Sequence, residues 1–317
     1  MANHIMRNIP VLLFLITGAV FAAGPSDSHG PRLLDVPPPV SPGASLRVDV
    51  DMTLVPVSVT DQLGRNVRGL DKHNFRVYDG SEPRPIAAFS QQDAPVSVGL
   101  VFDSSRSMTD KYKTARAAVS DLFQQLNPED EAFLVTVSDR ADLRQDFTKN
   151  LGDVENALLF VHPAGTTSLL DGVYRALVNM KKAHNPRKAL VIVSDGGDNN
   201  SRYGLRELLN YAAESNTLIY TIGIFENPQS PEEDSGPQLL SYLAKKTGGI
   251  EFVIQDLKNI GTAMGAIGVT LHNQYVIGYY PPENAPRGKY RKIKVQLLVP
   301  PGMPPMQIYA RSGYYTP

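Results

Sequence analysis

One carboxylate and two hydroxyls at alternating positions, Asp103, Ser105 and Ser107, are the residues of this chain best suited by type and spacing to do chemistry. On a tight turn they converge as hard oxygen ligands, a set that suits Mg2+, Mn2+ or Ca2+ and not zinc or copper. Small polar residues in this arrangement are equally at home in plain turns and helix N-caps, so the triplet alone leaves both readings open. Two later stretches share its character. Residues 164–171 read AGTTSLLD, with Thr166 and Thr167 ahead of an apolar helical pattern, and residues 189–199 read ALVIVSDGGDN, an apolar run that stops on Asp195.

The elements that must hold these residues are legible in the pattern around them. Val96, Val98, Leu100, Val101 and Phe102 form a nearly continuous apolar run, the mark of a strand buried on both faces of a parallel sheet. The run ends at Asp103, and in open α/β sheets ligands bind beyond the carboxyl ends of the strands. Downstream, helical and strand patterns alternate. Helices are expected over 113–126, 154–161, 169–180, 205–213, 238–246 and 257–271, and strands over 133–137, 141–147 (an edge), 189–193, 218–225 and 251–254. This is the pattern of a doubly wound, mostly parallel α/β sheet.

The segments DSSRS, GTTSLLDG and VIVSDGGDNNS, in that order, resemble the three site loops of von Willebrand factor type A domains. The resemblance implies a Rossmann-like fold over residues 93–272 and a metal-ion-dependent adhesion site (MIDAS). Asp103, Ser105 and Ser107 match its first loop, Thr167 its second and Asp195 its third; Thr166 fits the family spacing less well. It further implies Mg2+, or Mn2+ or Ca2+, as the ion and a protein partner that offers an Asp or Glu to it. Arg106 stands where the family often has glycine, and is read as a side chain pointing to solvent. Asp110, Asp171 and Asp198 are expected to order helix caps and loops.

Outside this centre the pattern turns to period two. Residues 46–92 and 273–317 read as short strands with Gly- and Pro-rich turns, and the two flanks are expected to pair into one small antiparallel β domain with the α/β centre inserted. VPVSVTD and LDKHNFRVYDG before the centre, with YVIGYYPP and SGYY after it, are similar to a bacterial group of type A-related proteins common in Acidobacteria. The alternating Lys and Arg of 287–294 read as the solvated face of a strand.

Residues 1–23 carry Arg7, an apolar run over 11–21 and small residues, the layout of a signal peptide cleaved after Ala22 or Ala23, which implies a periplasmic or secreted protein. The run is short for a membrane span, and 24–45 read as a disordered linker. Cysteine is absent and the net charge is −1, which excludes disulfides and thiolate chemistry and gives no global case for nucleic acid. An enzyme is disfavoured. A haloacid-dehalogenase-type phosphotransferase would need a carboxylic acid two residues after Asp103, and Ser105 cannot deliver a proton as a tuned acid does. The sequence therefore points to an exported, ion-dependent binding module, with a scaffold held by a structural ion as the alternative.

Overall fold

The computed structural model describes residues 52–91, 93–225 and 231–316; the signal-like segment and the linker lie outside the described residues. The described chain enters through β1 (Thr53–Asp61), β2 (Phe75–Asp79), β3 (Glu82–Arg84) and β4 (Ala88–Ser90). Then come β5 (Val96–Asp103), α1 (Thr109–Phe123), β6 (Glu131–Val137), β7 (Ala141–Thr148), α2 (Leu151–Leu159) and α3 (Leu169–Asn179). β8 (Arg187–Ser194), α4 (Leu205–Ser215), β9 (Leu218–Ile224), α5 (Pro231–Thr247), β10 (Glu251–Ile254) and α6 (Ile260–His272) complete the centre. β11 (Tyr275–Tyr279), β12 (Tyr290–Leu297), β13 (Met306–Ala310) and β14 (Gly313–Tyr315) follow.

β5 is buried along its whole length and sits between β8 and β6 in a six-stranded sheet ordered β10-β9-β8-β5-β6-β7. Every pairing is parallel except β6 with β7 at the edge. The pleat sends Val96, Val98, Leu100 and Phe102 to one face, against α1, α2 and α6, and Val101 to the other, against α3, α4 and α5. Position 99, on that second face, requires glycine because a Cβ there would stand 2.3 Å from Phe133 Cζ and 2.5 Å from Leu190 Cδ2. The chain leaves β5 for a helix on one face and β8 for a helix on the other, so the crevice beyond their carboxyl ends is the switch point of the sheet.

The remaining strands form two four-stranded sheets, β13-β1-β11-β4 and β14-β12-β2-β3, whose inner faces share a core of Val55, Val57, Phe75, Val77, Tyr275, Ile277, Ile293 and Val295. β1 pairs with β11 on one side and β13 on the other, so strands from before and after the α/β centre share each sheet. Within this core Asp79, fully buried, accepts hydrogen bonds from Arg291 Nε (2.6 Å), Tyr314 Oη (2.8 Å) and Tyr279 Oη (3.3 Å). Three donors satisfy a charge that would be costly alone. Arg291 is therefore tied inward, whereas Lys292 and Lys294 on the same strand are exposed.

Several helix starts differ from the sequence expectation, α5 the most, since it begins at Pro231 and not at 238. α1 begins at Thr109 and not at Lys113, because its first turn is polar and carries no apolar periodicity. His272 ends α6 with its side chain 10% exposed, Nδ1 lying 2.8 Å from Asp93 Oδ1 and Nε2 3.0 Å from Asp130 Oδ2. The bond to Asp130, followed by that to Asp93, holds the imidazole pKa above its ordinary value of 6.5 against the opposing effect of burial; Arg187, 3.6 Å from Asp93, is the other charge facing this group. A raised folded-state pKa means that the contribution is complete below about 6.5 and is lost as pH rises through the raised value. Wild type should therefore exceed His272→Gln in stability by about 1 kcal/mol at mildly acidic pH, with the gap closing at alkaline pH. Urea melts of both proteins across this range check it, and a gap that does not change with pH would refute the linkage.

Candidate metal centre

β5 carries Asp103 to the switch point, where the carboxylate is fully buried. Its Oδ1 accepts the Ser105 backbone N–H at 2.8 Å, closing the tight turn that D-x-S needs, and its Oδ2 accepts Ser194 Oγ at 2.5 Å from the neighbouring strand β8. The parallel register, Phe102 opposite Val193, brings Ser194 alongside Asp103. Ser105 Oγ and Ser107 Oγ lie 3.0 Å apart, so the two hydroxyls of the first loop converge.

Asp195 follows β8 directly and is also fully buried. Its Oδ2 accepts the ammonium of Lys111 at 3.3 Å, and its Oδ1 has no hydrogen-bond partner among the described residues. The loop beyond is tight: Gly196 has φ +81°, and a Cβ there would lie 2.4 Å from Gly236 Cα in the second turn of α5. Only glycine combines that backbone conformation with so close an approach. Burial, and then the charge of Asp195, pushes the Asp103 carboxyl up to about 6, against the hydrogen bonds from Ser105 and Ser194.

The second loop presents two threonines in different settings. Thr166 is exposed and gives both its N–H and its hydroxyl to Asp139 Oδ1, each at 2.7 Å. Thr167 is buried, with its N–H bonded to Asn199 Oδ1 at 3.0 Å and its carbonyl accepting the N–H groups of Asn199 and Asn200. The first loop joins the second through Ala164 N–H to Ser104 O (2.9 Å) and Arg106 N–H to Gly165 O (3.2 Å). All three loops are thus cross-linked by backbone and amide bonds.

The neighbouring acids have partners of their own. Asp198, raised by burial, accepts Ser201 Oγ at 2.5 Å and the Leu170 N–H at 3.4 Å in the first turn of α3. Asp171 accepts the N–H groups of Arg202 and Tyr203. Asp110 and Arg106 are exposed. Sequence reasoning missed Lys111, Ser194, Asp139, Asn199 and Asn200. A lysine beside D-x-S-x-S gives no signal without the helix phase, and the others act across loops far apart in sequence.

The family model of the von Willebrand factor type A domain matches residues 98–197, a segment that contains Asp103, Ser105, Ser107, Thr167 and Asp195. This chain carries a type A domain. Solved structures similar to it include BatB from Bacteroides thetaiotaomicron, with 16% identity and a TM-score of 0.45 over 55% of this chain and 98% of that one. A von Willebrand factor type A protein from Catenulispora acidiphila gives 12% identity and a TM-score of 0.49 over 83% of this chain and 74% of that one. Proximal thread matrix protein 1 from the mussel byssus, solved with a zinc-occupied MIDAS motif, gives 16% and 0.48 over 61% and 49%. These likenesses concern the fold alone, and no curated protein matches the chain.

The residues of this type A domain fit a hard divalent ion. The donor set is all oxygen, two carboxylates with hydroxyls around them, and a buried carboxylate oxygen without a donor is an atom that a cation satisfies. Asp103, Ser105, Ser107, Thr167 and Asp195 would hold it.

Proposed function

We propose that this chain is an exported, metal-ion-dependent protein-binding module that captures an Asp or Glu side chain of a partner through Mg2+, or Mn2+ or Ca2+, at its type A site. The observation that carries the reading is the buried Asp195 Oδ1, without a donor among the described residues, next to a second buried carboxylate and two converging hydroxyls. A bound ion would supply the Lewis-acidic position that a partner carboxylate completes. The chain's own part is to bring few charges and several neutral hydroxyls to that position, so that the ion's charge is not quenched before the partner arrives. Cross-bonded loops keep the donors in register, and burial keeps water from competing for them. The short apolar run over 11–21 supports export to the periplasm or the exterior. Among the described residues no helix is long and apolar enough to cross a membrane. The reading assigns no catalytic residue.

Thr167 is the informative position because it belongs to a separate loop and its backbone is anchored independently of its hydroxyl. Thr167→Ala should weaken partner capture roughly tenfold while lowering stability by no more than about 1 kcal/mol. Surface proteins and acidic peptides from the same source, captured by wild type and mutant with and without chelator, provide the test. Capture indifferent to both would transfer the interaction to the β domain and leave any ion as a pin between loops.

A further inference from the structure

Lys111 lies in the first turn of α1, with its side chain drawn to the carboxylate that follows β8. The residue is 7% exposed, and its Nζ is 3.3 Å from Asp195 Oδ2 and 3.4 Å from the carbonyl oxygen of Ile224 at the end of β9. Nothing in ordinary helix energetics favours this. A cation in the N-terminal turn opposes the helix dipole, and removing an ammonium from water costs several kcal/mol unless a partner compensates. One partner here is the carboxylate whose second oxygen has no hydrogen-bond partner among the described residues.

We infer that Lys111 is a tethered cation that competes with the divalent ion for Asp195, setting the affinity of the site for metal and the charge it shows to a partner. The inference rests on reading the site as a metal centre. The Lys111 ammonium offsets part of the negative charge that Asp103 and Asp195 bring to the pocket, so an incoming divalent ion meets a less negative site. Without the ammonium the pocket holds the ion more strongly but ends less positive when loaded. The lysine thus weakens ion binding and strengthens the pull of the loaded site on a carboxylate. Its second contact, the Ile224 carbonyl, gives the ammonium a partner to keep as its hold on Asp195 is loosened.

The test uses the full chain and Mn2+ alone, by titration calorimetry, on wild type, Lys111→Met, Lys111→Gln and the charge-preserving Lys111→Arg, with Asp103→Asn as the control for the site. Removing the positive charge should tighten Mn2+ binding roughly tenfold to a hundredfold, and the arginine variant should stay near wild type. Binding by the methionine or glutamine variant where wild type shows none would support the same conclusion. Equal or weaker binding by both neutral variants, with Asp103→Asn still abolishing the wild-type signal, would overturn the role of Lys111 and leave the metal centre standing. Absence of binding in every protein would overturn both. Thermal melts without metal separate a merely structural role: a lysine that only anchors α1 would lower the melting temperature of the neutral variants with no gain in affinity. If the methionine variant fails to fold, the glutamine variant carries the comparison.

Discussion

Asp103→Asn should reduce Mn2+ affinity about a hundredfold or more while leaving the thermal stability of the metal-free protein unchanged or higher near neutral pH. The loss follows from the donor set, in which Asp103 is one of two carboxylates and the rest are neutral hydroxyls, so its charge is a large part of what draws the ion. The stability follows from the hydrogen bonds. The amide oxygen of asparagine can accept the Ser105 N–H as the carboxylate does at 2.8 Å, and the Ser194 hydroxyl, now 2.5 Å from Oδ2, can turn to accept from the new amide. Burial and the neighbouring Asp195 both penalise the ionised acid, so the neutral side chain is the better tenant when no ion is bound. Calorimetry and thermal melts on the two proteins check both halves. Undiminished Mn2+ binding would show that Asp103 is no ligand, and a collapse in melting temperature would show that its carboxylate serves the fold.

Deleting residues 275–317 should make 52–90 rapidly cleavable while the six-stranded sheet persists. β1 has β11 and β13 as its two neighbours and β2 has β12 on one side, so the deletion removes both ladders of β1 and leaves β2 only the three-residue β3. The packing goes with them: Phe75 and Phe89 each pack against Tyr275, with ring centroids 5.2 Å and 5.7 Å from it, and Arg311 reaches from the C-terminal part to the Leu54 carbonyl at 2.7 Å and to Asn216. Single strands and a two-stranded remnant with open edges are marginal in water. Every strand of the central sheet lies within 96–254 and keeps its neighbours. Limited proteolysis followed by mass spectrometry should recover a resistant fragment that starts near β5. Protection of 52–90 at the wild-type level would mean that the entering strands fold without the departing ones.

What the sequence by itself determined is what depends on near neighbours. The apolar run of 96–102 reads as a buried strand, and its abrupt end sets Asp103 at the carboxyl edge; the same logic holds for β8 and Asp195. The hydroxyl spacing of D-x-S-x-S and the order of the three loops were equally local, and so was the resemblance they carry. The tertiary structure decided matters that rest on distant partners. The β6–β7 turn occupies Thr166 through Asp139, while the Asp195 loop clasps Thr167 through Asn199 and Asn200; no pattern around the two threonines distinguishes them so sharply. Ser194 became a support for Asp103 only through the parallel register of β5 and β8. Lys111 was hidden because apolar periodicity cannot see a polar first turn. Starting α1 two residues ahead of Lys111 swings the ammonium onto Asp195, some eighty positions later in the chain, and the charge of the site is set by that long-range pairing of helix phase and strand end.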